Sequence, residues 1–308
     1  MKRFIIVLLS ILLIFTFIGC GSEKKDDSKL SIVVTAFPHY DFARQVTKGV
    51  DNVEIKMLIS PGSEVHSYEP TPADILSVSE CDMFICTGGE SEIWAKNILD
   101  SVQNEDISVI SFMELCSDSI EEHQENHKEH EHVYDEHVWT APATSAYLVH
   151  AIKDTLIGID GANAETYTAN AEEFDREILL IENELARVMD DRIRDSIVVA
   201  DRFPFYHLAK ALELKYVSAY PGCSSSTEPS AAVVAELSEK VKKENIPYVF
   251  TIEFSNQKIA NNVISGTDAE ILTLHSCHNV TKEEFESGIT YIDLMKKNAA
   301  NLRKALCE

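Results

Sequence analysis

Short apolar runs alternate with amphipathic helical segments along the chain from Leu30 onward. The runs are four to seven residues long and rich in Val and Ile, which is typical of buried strands of a parallel sheet. We predict four strands in the first half of the chain and four in the second, each followed by a helical or loop segment. The predicted strands are 31–36, 53–59, 82–87 and 107–111, then 196–200, 216–219, 248–252 and 271–274.

The two halves also share local sequence in the same order. The segment PGSEVHSYEPT at 61–71 resembles PGCSSSTEPS at 221–230, and IWAKNIL at 93–99 resembles KIANNVI at 258–264. In the first half, Thr71 before Pro72 is well placed to cap a helix. The pattern predicts an α/β protein with two similar Rossmann-like lobes, each built on a parallel sheet.

A helical region separates the two halves. Residues 145–157 predict one helix, and 164–189 predict a longer one of about 40 Å. The longer segment carries apolar residues at three- and four-residue spacing, which predicts one buried face. These are Phe174, Ile178, Ile181, Leu185 and Val188. We therefore expect a first lobe over 30–144, a helical linker with a rigid helix over 145–194 and a second lobe over 195–308.

The N-terminus has the pattern of an export signal. Lys2 and Arg3 precede a 15-residue uncharged segment, 4–18, which is shorter than the roughly 20 residues of a spanning helix. Residues 17–20, FIGC, resemble a bacterial lipobox, so 1–19 is predicted to be a lipoprotein signal peptide and Cys20 the lipidated residue. The polar residues 20–29 then form a flexible tether. An ordinary secretory signal that happens to contain a cysteine is the alternative.

Composition narrows the class of partner. The net charge of −24 argues against nucleic acid or anionic lipid as a partner for the folded part. The seven cysteines contain no CxxC pair, which makes a zinc ribbon or thioredoxin-type redox site improbable. Cys223 and Cys277 lie in loops, and export would permit a disulfide between them.

Histidine is concentrated between 121 and 139, EEHQENHKEHEHVYDEHVW, which holds five of the eleven histidines. Imidazoles among carboxylates are ligands that a divalent cation such as Zn²⁺ seeks. We expect the loop 121–136 to be an accessory metal-collecting loop; a solvated polar loop is the alternative. Its histidines are His123, His127, His130 and His132.

Other histidines follow predicted strands, where ligands bind in α/β sheets. His66 follows the second strand, His137 ends the histidine-rich segment, and His275 and His278 follow the last strand. We expect histidines from both lobes to converge on one metal ion in the cleft, with His66 and His137 from the first lobe and His275 or His278 from the second. A secreted zinc hydrolase is disfavoured because the sequence contains no HExxH or GxSxG motif.

Three stretches together resemble one known family. They are PGSEVHSYEPTPADI at 61–75, DEHVW at 135–139 with the histidine-rich loop before it, and GITYIDLMKKNAANLRKAL at 288–306. With the long linking helix, they are similar to the zinc- and manganese-binding solute-binding lipoproteins of bacterial ABC importers. The resemblance covers nearly the whole chain after the signal.

The resemblance implies a monomeric, non-enzymatic receptor, held by a lipid on Cys20 at the outer face of the cell membrane. It implies delivery of metal to the permease and ATPase subunits of an importer, with His66 and His137 as first-lobe ligands. His275 takes the place of a second-lobe carboxylate. Imidazole-rich ligation favours Zn²⁺; Mn²⁺ or iron is the alternative. Some family members are also assigned adhesin roles, which is a further alternative.

The chain departs from the family pattern at one ligand position. Arg202 stands near the place of a third ligand, and arginine stays protonated and cannot coordinate a metal. Asp201 is a candidate substitute, and His278, Cys277 or a histidine of the loop 121–136 could instead complete the coordination. Arg202 is expected to pair with a carboxylate such as Glu228 or Glu253, and packing is the expected role of His207.

Overall fold

The computed structural model describes residues 29–117, 135–220 and 228–308. Its strands form two parallel four-stranded sheets of equivalent order, β2-β1-β3-β4 and β6-β5-β7-β8. This confirms the predicted pair of similar α/β lobes. The first sheet contains β1 (Leu30–Val34), β2 (Val53–Met57), β3 (Met83–Cys86) and β4 (Ser108–Ser111), and the second contains β5 (Ser196–Val199), β6 (Lys215–Ser218), β7 (Tyr248–Thr251) and β8 (Glu270–Thr273).

Helices cover the sheets and join the lobes. In the first lobe they are α1 (Phe37–Val46), α2 (Pro72–Glu80), α3 (Ile93–Ser101) and α4 (Phe112–Leu115). Between the lobes lie α5 (Pro142–Ile159) and α6 (Ala164–Asp191). The second lobe has α7 (Tyr206–Ala211), α8 (Ala231–Glu244), α9 (Lys258–Val263), α10 (Lys282–Glu286) and α11 (Tyr291–Cys307), and 3₁₀ turns lie at Val65–Ser67, Val138–Thr140 and Gly161–Asn163.

Local signals in the sequence account for several boundaries. Thr71 caps α2 as predicted, because its hydroxyl accepts the backbone N–H of Asp74, while the Asp74 side chain accepts the N–H of Thr71. Helix α8 ends at Glu244, and the next residue, Asn245, adopts the left-handed conformation that is common after a helix.

The long helix α6 contributes one buried face to the main hydrophobic core. Its 28 residues extend about 42 Å, and the five apolar positions predicted from the sequence are all buried. The helix packs along α5 on one side and α11 on the other.

One hydrophobic core runs through both lobes. It includes Val34 of the first sheet, Ile178 of α6, Leu302 of α11 and Val199 of the second sheet. The opposite face of each sheet has a separate, smaller core. Because the main core is continuous, a large hinge motion would expose apolar surface from both lobes, so the fold favours small relative movements.

A buried polar network lies where β1 and β3 end. His39 Nδ1 accepts the backbone N–H of Ala36, and His39 Nε2 lies 3.4 Å from the hydroxyl of Thr87. That hydroxyl donates to Glu92. Burial lowers the pKa of His39 from 6.5 to about 3 and raises the pKa of Glu92 from 4.5 to about 7. His39 is therefore neutral at neutral pH, and burial disfavours the charged form of Glu92.

Within the described residues, no helix combines the length and apolar character that a membrane crossing requires.

The low pKa of His39 predicts how stability depends on pH. Below its ordinary pKa of 6.5, the unfolded chain takes up a proton on His39 that the folded chain does not, so the free energy of unfolding falls as pH falls. Replacing His39 with Gln removes this contribution. Between about pH 6 and about pH 5, we expect the free energy of unfolding to fall less steeply in the variant than in the wild type. The two slopes should differ by about 1.4 kcal/mol per pH unit.

Urea unfolding of the metal-free protein at several pH values measures this difference in slope. Glu92 changes the pH dependence of the free energy of unfolding in the opposite direction to His39. Because Glu92 is present in both proteins, its contribution cancels when the two slopes are compared. The control is His150→Gln, which changes a half-exposed histidine of α5 and leaves the buried network of His39 intact. Parallel pH profiles for His39→Gln and the wild type would contradict the assignment.

Candidate metal centre

Three histidines from two lobes meet at the carboxyl ends of the sheets. One ligand nitrogen from each of His66, His137 and His278 lies within 4.8 Å of the others. His137 Nε2 and His278 Nδ1 are 3.1 Å apart. In a tetrahedral zinc site with Zn–N bonds of 2.0–2.1 Å, ligand nitrogens are about 3.3 Å apart. The spacing of this pair therefore already suits a shared ion.

His66 is placed by a short loop after β2. It lies in the 3₁₀ turn Val65–Ser67, and the carboxylate of Glu64 accepts its backbone N–H at 3.3 Å. The loop is tied to the second lobe, because the side-chain amide of Asn279 donates to the carbonyl oxygens of Ser60 and Ser63, each at 2.9 Å. His66 therefore belongs to the first lobe in sequence but is positioned by both lobes.

His137 is oriented by the acidic residue two positions before it. Asp135 Oδ1 lies 2.6 Å from His137 Nδ1 and also accepts the backbone N–H of His137 at 3.0 Å. Burial opposes ionisation of Asp135, but the charge and hydrogen bonds of His137, together with His207, lower its pKa overall. An ionised Asp135 holds the proton on Nδ1 and leaves the Nε2 lone pair directed at the cluster.

Asp135 also connects this histidine to the second lobe. Its other carboxylate oxygen accepts the backbone N–H of Tyr206 at 2.9 Å, and its carbonyl oxygen accepts Nε2–H of His207 at 2.8 Å. The predicted packing role of His207 thus includes a hydrogen bond across the lobes. The sequence signal for Asp135 was its position in DEHVW, two residues before a candidate ligand.

The next residue fixes the same segment to the first lobe. The Glu136 carboxylate accepts the backbone N–H groups of Glu90 and Ser91 at 2.6 and 3.0 Å. A Cβ on Gly89, whose φ is +83°, would lie 2.5 Å from this carboxylate. Glycine at 89 therefore lets the backbone approach Glu136 closely.

His278 is the second-lobe member of the cluster and is only 6% exposed. The Trp139 ring packs beside both His278 and His137, with centroid distances of 5.0 and 5.2 Å. Trp139 Nε1–H donates to the carbonyl oxygen of Ser276 and locks the loop in place. Burial and the neighbouring histidines lower the pKa of His278 well below 6.5, so it is neutral and able to coordinate a metal at neutral pH.

Of the predicted ligands His66, His137 and His275, the structure brings His66 and His137 together with His278, the candidate additional ligand, and does not place His275 in that group. His275 Nδ1 accepts the backbone N–H of Cys277 at 2.9 Å, and Asn298 binds both the backbone N–H and the carbonyl oxygen of His275. Cys277, which lies between the two histidines, adopts a left-handed conformation with φ 61°. The loop therefore places His278, and not His275, in the cluster.

The structure also shows the contacts of Asp201 and Arg202, which lie where the sequence departs from the family pattern. Asp201 lies outside the histidine cluster and accepts the hydroxyl of Ser255 and the backbone N–H of Arg202. The Arg202 guanidinium is 3.8 Å from Glu64, which corrects the expected pairing with Glu228 or Glu253.

Several predicted residues lie outside the described part of the chain. They are Cys20, Cys223 and the four loop histidines His123, His127, His130 and His132.

The chain is similar in sequence to known proteins over most of its length. Residues 32–305 match the family ZnuA, described as zinc-uptake complex component A, periplasmic. Zinc-binding lipoprotein AdcA of Streptococcus pneumoniae serotype 4 (strain ATCC BAA-334 / TIGR4) is 31% identical over 310 residues, covering 99% of this chain and 61% of AdcA. The high-affinity zinc uptake system protein ZnuA of Bacillus subtilis (strain 168) is 30% identical over 292 residues, covering 93% and 90%. The chain thus spans about three fifths of AdcA but most of the Bacillus protein.

Solved structures share the fold. The Zn(II)-bound ZnuA-like domain of Streptococcus pneumoniae AdcA superposes with a TM-score of 0.74 and 28% identity, over 91% of this chain and 100% of that domain. The metal-dependent lipoprotein YcdH from Bacillus subtilis gives a TM-score of 0.76 at 26% identity, over 91% and 100%. With the family match over nearly the whole folded chain, these similarities establish that the protein belongs to the ZnuA family of periplasmic zinc-uptake components.

Proposed function

We propose that the chain is the extracytoplasmic zinc receptor of an ABC importer, and that it binds Zn²⁺ through His66, His137 and His278. The observation that carries the proposal is the convergence of three imidazoles from two lobes within 4.8 Å. The names of the relatives, which describe zinc binding and zinc uptake, support the same metal. The role is capture and delivery, without a catalytic step.

The donor set favours zinc over manganese. Neutral imidazole nitrogens suit Zn²⁺, whereas Mn²⁺ prefers carboxylate and other oxygen ligands. The three described members of the cluster are all histidines, and the nearby carboxylates are engaged in hydrogen bonds. We therefore infer that Mn²⁺ binds more weakly than Zn²⁺ at this centre.

Capture and release follow from the division of ligands between lobes. His278 belongs to the second lobe, and His66 and His137 belong to the first. A small separation of the lobes would withdraw one nitrogen of three and weaken binding steeply. Asp135 links this movement to the metal, because one carboxylate holds both the His137 ring and the backbone N–H of Tyr206. The permease would trigger release by separating these two partners.

The attachment and delivery steps complete the proposal. A lipid on Cys20 would hold the receptor at the outer face of the cell membrane, next to the permease and ATPase subunits of the importer. The loop 121–136 would gather Zn²⁺ at lower affinity through its histidines and raise the local zinc concentration at the cleft. The folded part would act as a monomer.

Alanine substitutions test the ligand set. We expect His66→Ala, His137→Ala and His278→Ala each to lower zinc affinity by more than about 100-fold, which exceeds the typical effect of losing a partner outside the coordination sphere. His275→Ala should lower affinity by less than about tenfold, since it loses only a supporting hydrogen bond. Competition with a chromophoric zinc chelator measures each affinity, and circular dichroism verifies folding.

The His275 and His278 variants discriminate between the two candidate second-lobe ligands. A large loss in His275→Ala with near wild-type binding in His278→Ala would contradict the proposed set. Tight zinc binding in all of the cluster variants would overturn the site altogether.

Asp135→Asn tests the orienting carboxylate. The substitution preserves size but removes the charge that holds the proton on His137 Nδ1, so we expect a roughly 10- to 100-fold loss of zinc affinity. The matched control is Asp175→Asn, which alters a second Asp–His pair, 2.8 Å from His150, away from the cleft. Equal zinc affinities for Asp135→Asn and Asp175→Asn, measured by the same competition, would show that Asp135 does not support the site.

A further inference from the structure

A cleft of about 330 Å³ opens beside the histidine cluster. Two of the three histidines, His66 and His278, line it, and Arg202 lines it as well. The volume is roughly ten times the ~30 Å³ that a water molecule occupies in liquid. The cleft therefore has room for a small organic molecule next to a bound ion.

Three histidines leave one position of a tetrahedral zinc ion unfilled. Three of the four described carboxylates that line the cleft accept hydrogen bonds from backbone N–H groups. Glu253 accepts the backbone N–H of Ser276 at 2.8 Å, Asp201 accepts the backbone N–H of Arg202 at 2.9 Å, and Glu64 accepts that of His66. Over the described ranges, none of these oxygens joins the group of converging ligand atoms. The described lining of the cleft therefore contributes no fourth ligand atom to the histidine cluster.

Arg202 is the positive group of the cleft. Its guanidinium is 3.8 Å from Glu64, a distance too long for a hydrogen bond, and its side chain is 31% exposed. A guanidinium offers a planar fork of N–H donors that matches a carboxylate in geometry and charge. Arg202 is therefore suited to bind a carboxylate that enters the cleft.

We propose that the receptor captures zinc together with a small carboxylate, such as that of an amino acid or hydroxy acid. One carboxylate oxygen takes the fourth position on the ion, displacing water, and the other accepts hydrogen bonds from Arg202. This inference rests on the proposed zinc site. It gives the arginine at this position a role in ligation, although arginine itself cannot coordinate.

The charges of the cleft make this binding depend on the metal. Glu64, Asp201, Glu228 and Glu253 all line the cleft and outnumber the single arginine. Without a dication the cleft repels an anion, and the ion adds the positive charge that a carboxylate needs. The carboxylate should therefore bind to the metal-loaded receptor and not to the metal-free one.

Acetate binding to the Co²⁺-loaded full chain tests the proposal. Cobalt stands in for zinc because its visible absorption reports changes in coordination. We expect acetate to produce a saturable spectral change in the wild type, with roughly tenfold weaker acetate affinity in Arg202→Met. Arg202→Lys keeps the charge but loses the fork, and should fall between the two. The control Arg176→Met removes a 62% exposed arginine from α6 and should behave as the wild type.

The outcomes separate this inference from the proposed function. If cobalt binds in a His278-dependent manner but acetate leaves its spectrum unchanged, the fourth ligand comes from the chain or from water, and the inference is wrong. Equal acetate affinity in the wild type and both Arg202 variants would also overturn it. If cobalt binding does not depend on His66, His137 and His278, the zinc site itself is wrong.

Discussion

Two imidazole nitrogens from opposite lobes, His137 Nε2 and His278 Nδ1, lie 3.1 Å apart, and much of the surrounding structure keeps them there. Both rings are nearly inaccessible to solvent and pack on Trp139. Burying uncharged imidazoles costs little free energy only if their polar atoms have hydrogen-bond partners. Asp135 supplies a partner to one ring, and the other faces its neighbouring histidines, so an entering cation would meet lone pairs that are already desolvated.

The same constraint explains how a rigid fold can serve capture and release. A continuous core joins both sheets through α6 and α11, which opposes wide opening of the cleft. Three nitrogens divided between lobes need only a small displacement to lose one ligand, and metal affinity is steep in ligand number. Asp135 is bound both to His137 and to the backbone of Tyr206, so such a displacement would stretch one of these hydrogen bonds. Rigidity and release are therefore compatible.

Periodicity in the sequence was sufficient to predict the two parallel sheets, the buried stripe of α6 and the cap at Thr71, because each depends on local patterning. The positions of His66 and His137 after predicted strands indicated that they would lie close together, and the structure groups them with His278. The choice between His275 and His278 was beyond the sequence pattern, since it depends on tertiary contacts such as those that hold His275 against Cys277 and Asn298. The hydrogen bonds of Asp135 to the second lobe, and the proximity of Arg202 to Glu64, are contacts between lobes. Spacing along the chain does not encode such contacts.

The most direct test of this account is a crystal structure of the zinc-loaded protein, with the ion located by its anomalous scattering. We predict one ion in the cleft with Zn–N bonds of about 2.0–2.1 Å to His66, His137 and His278. Zinc bound through His275 or Asp201, with the His278 ring turned away from the ion, would contradict it.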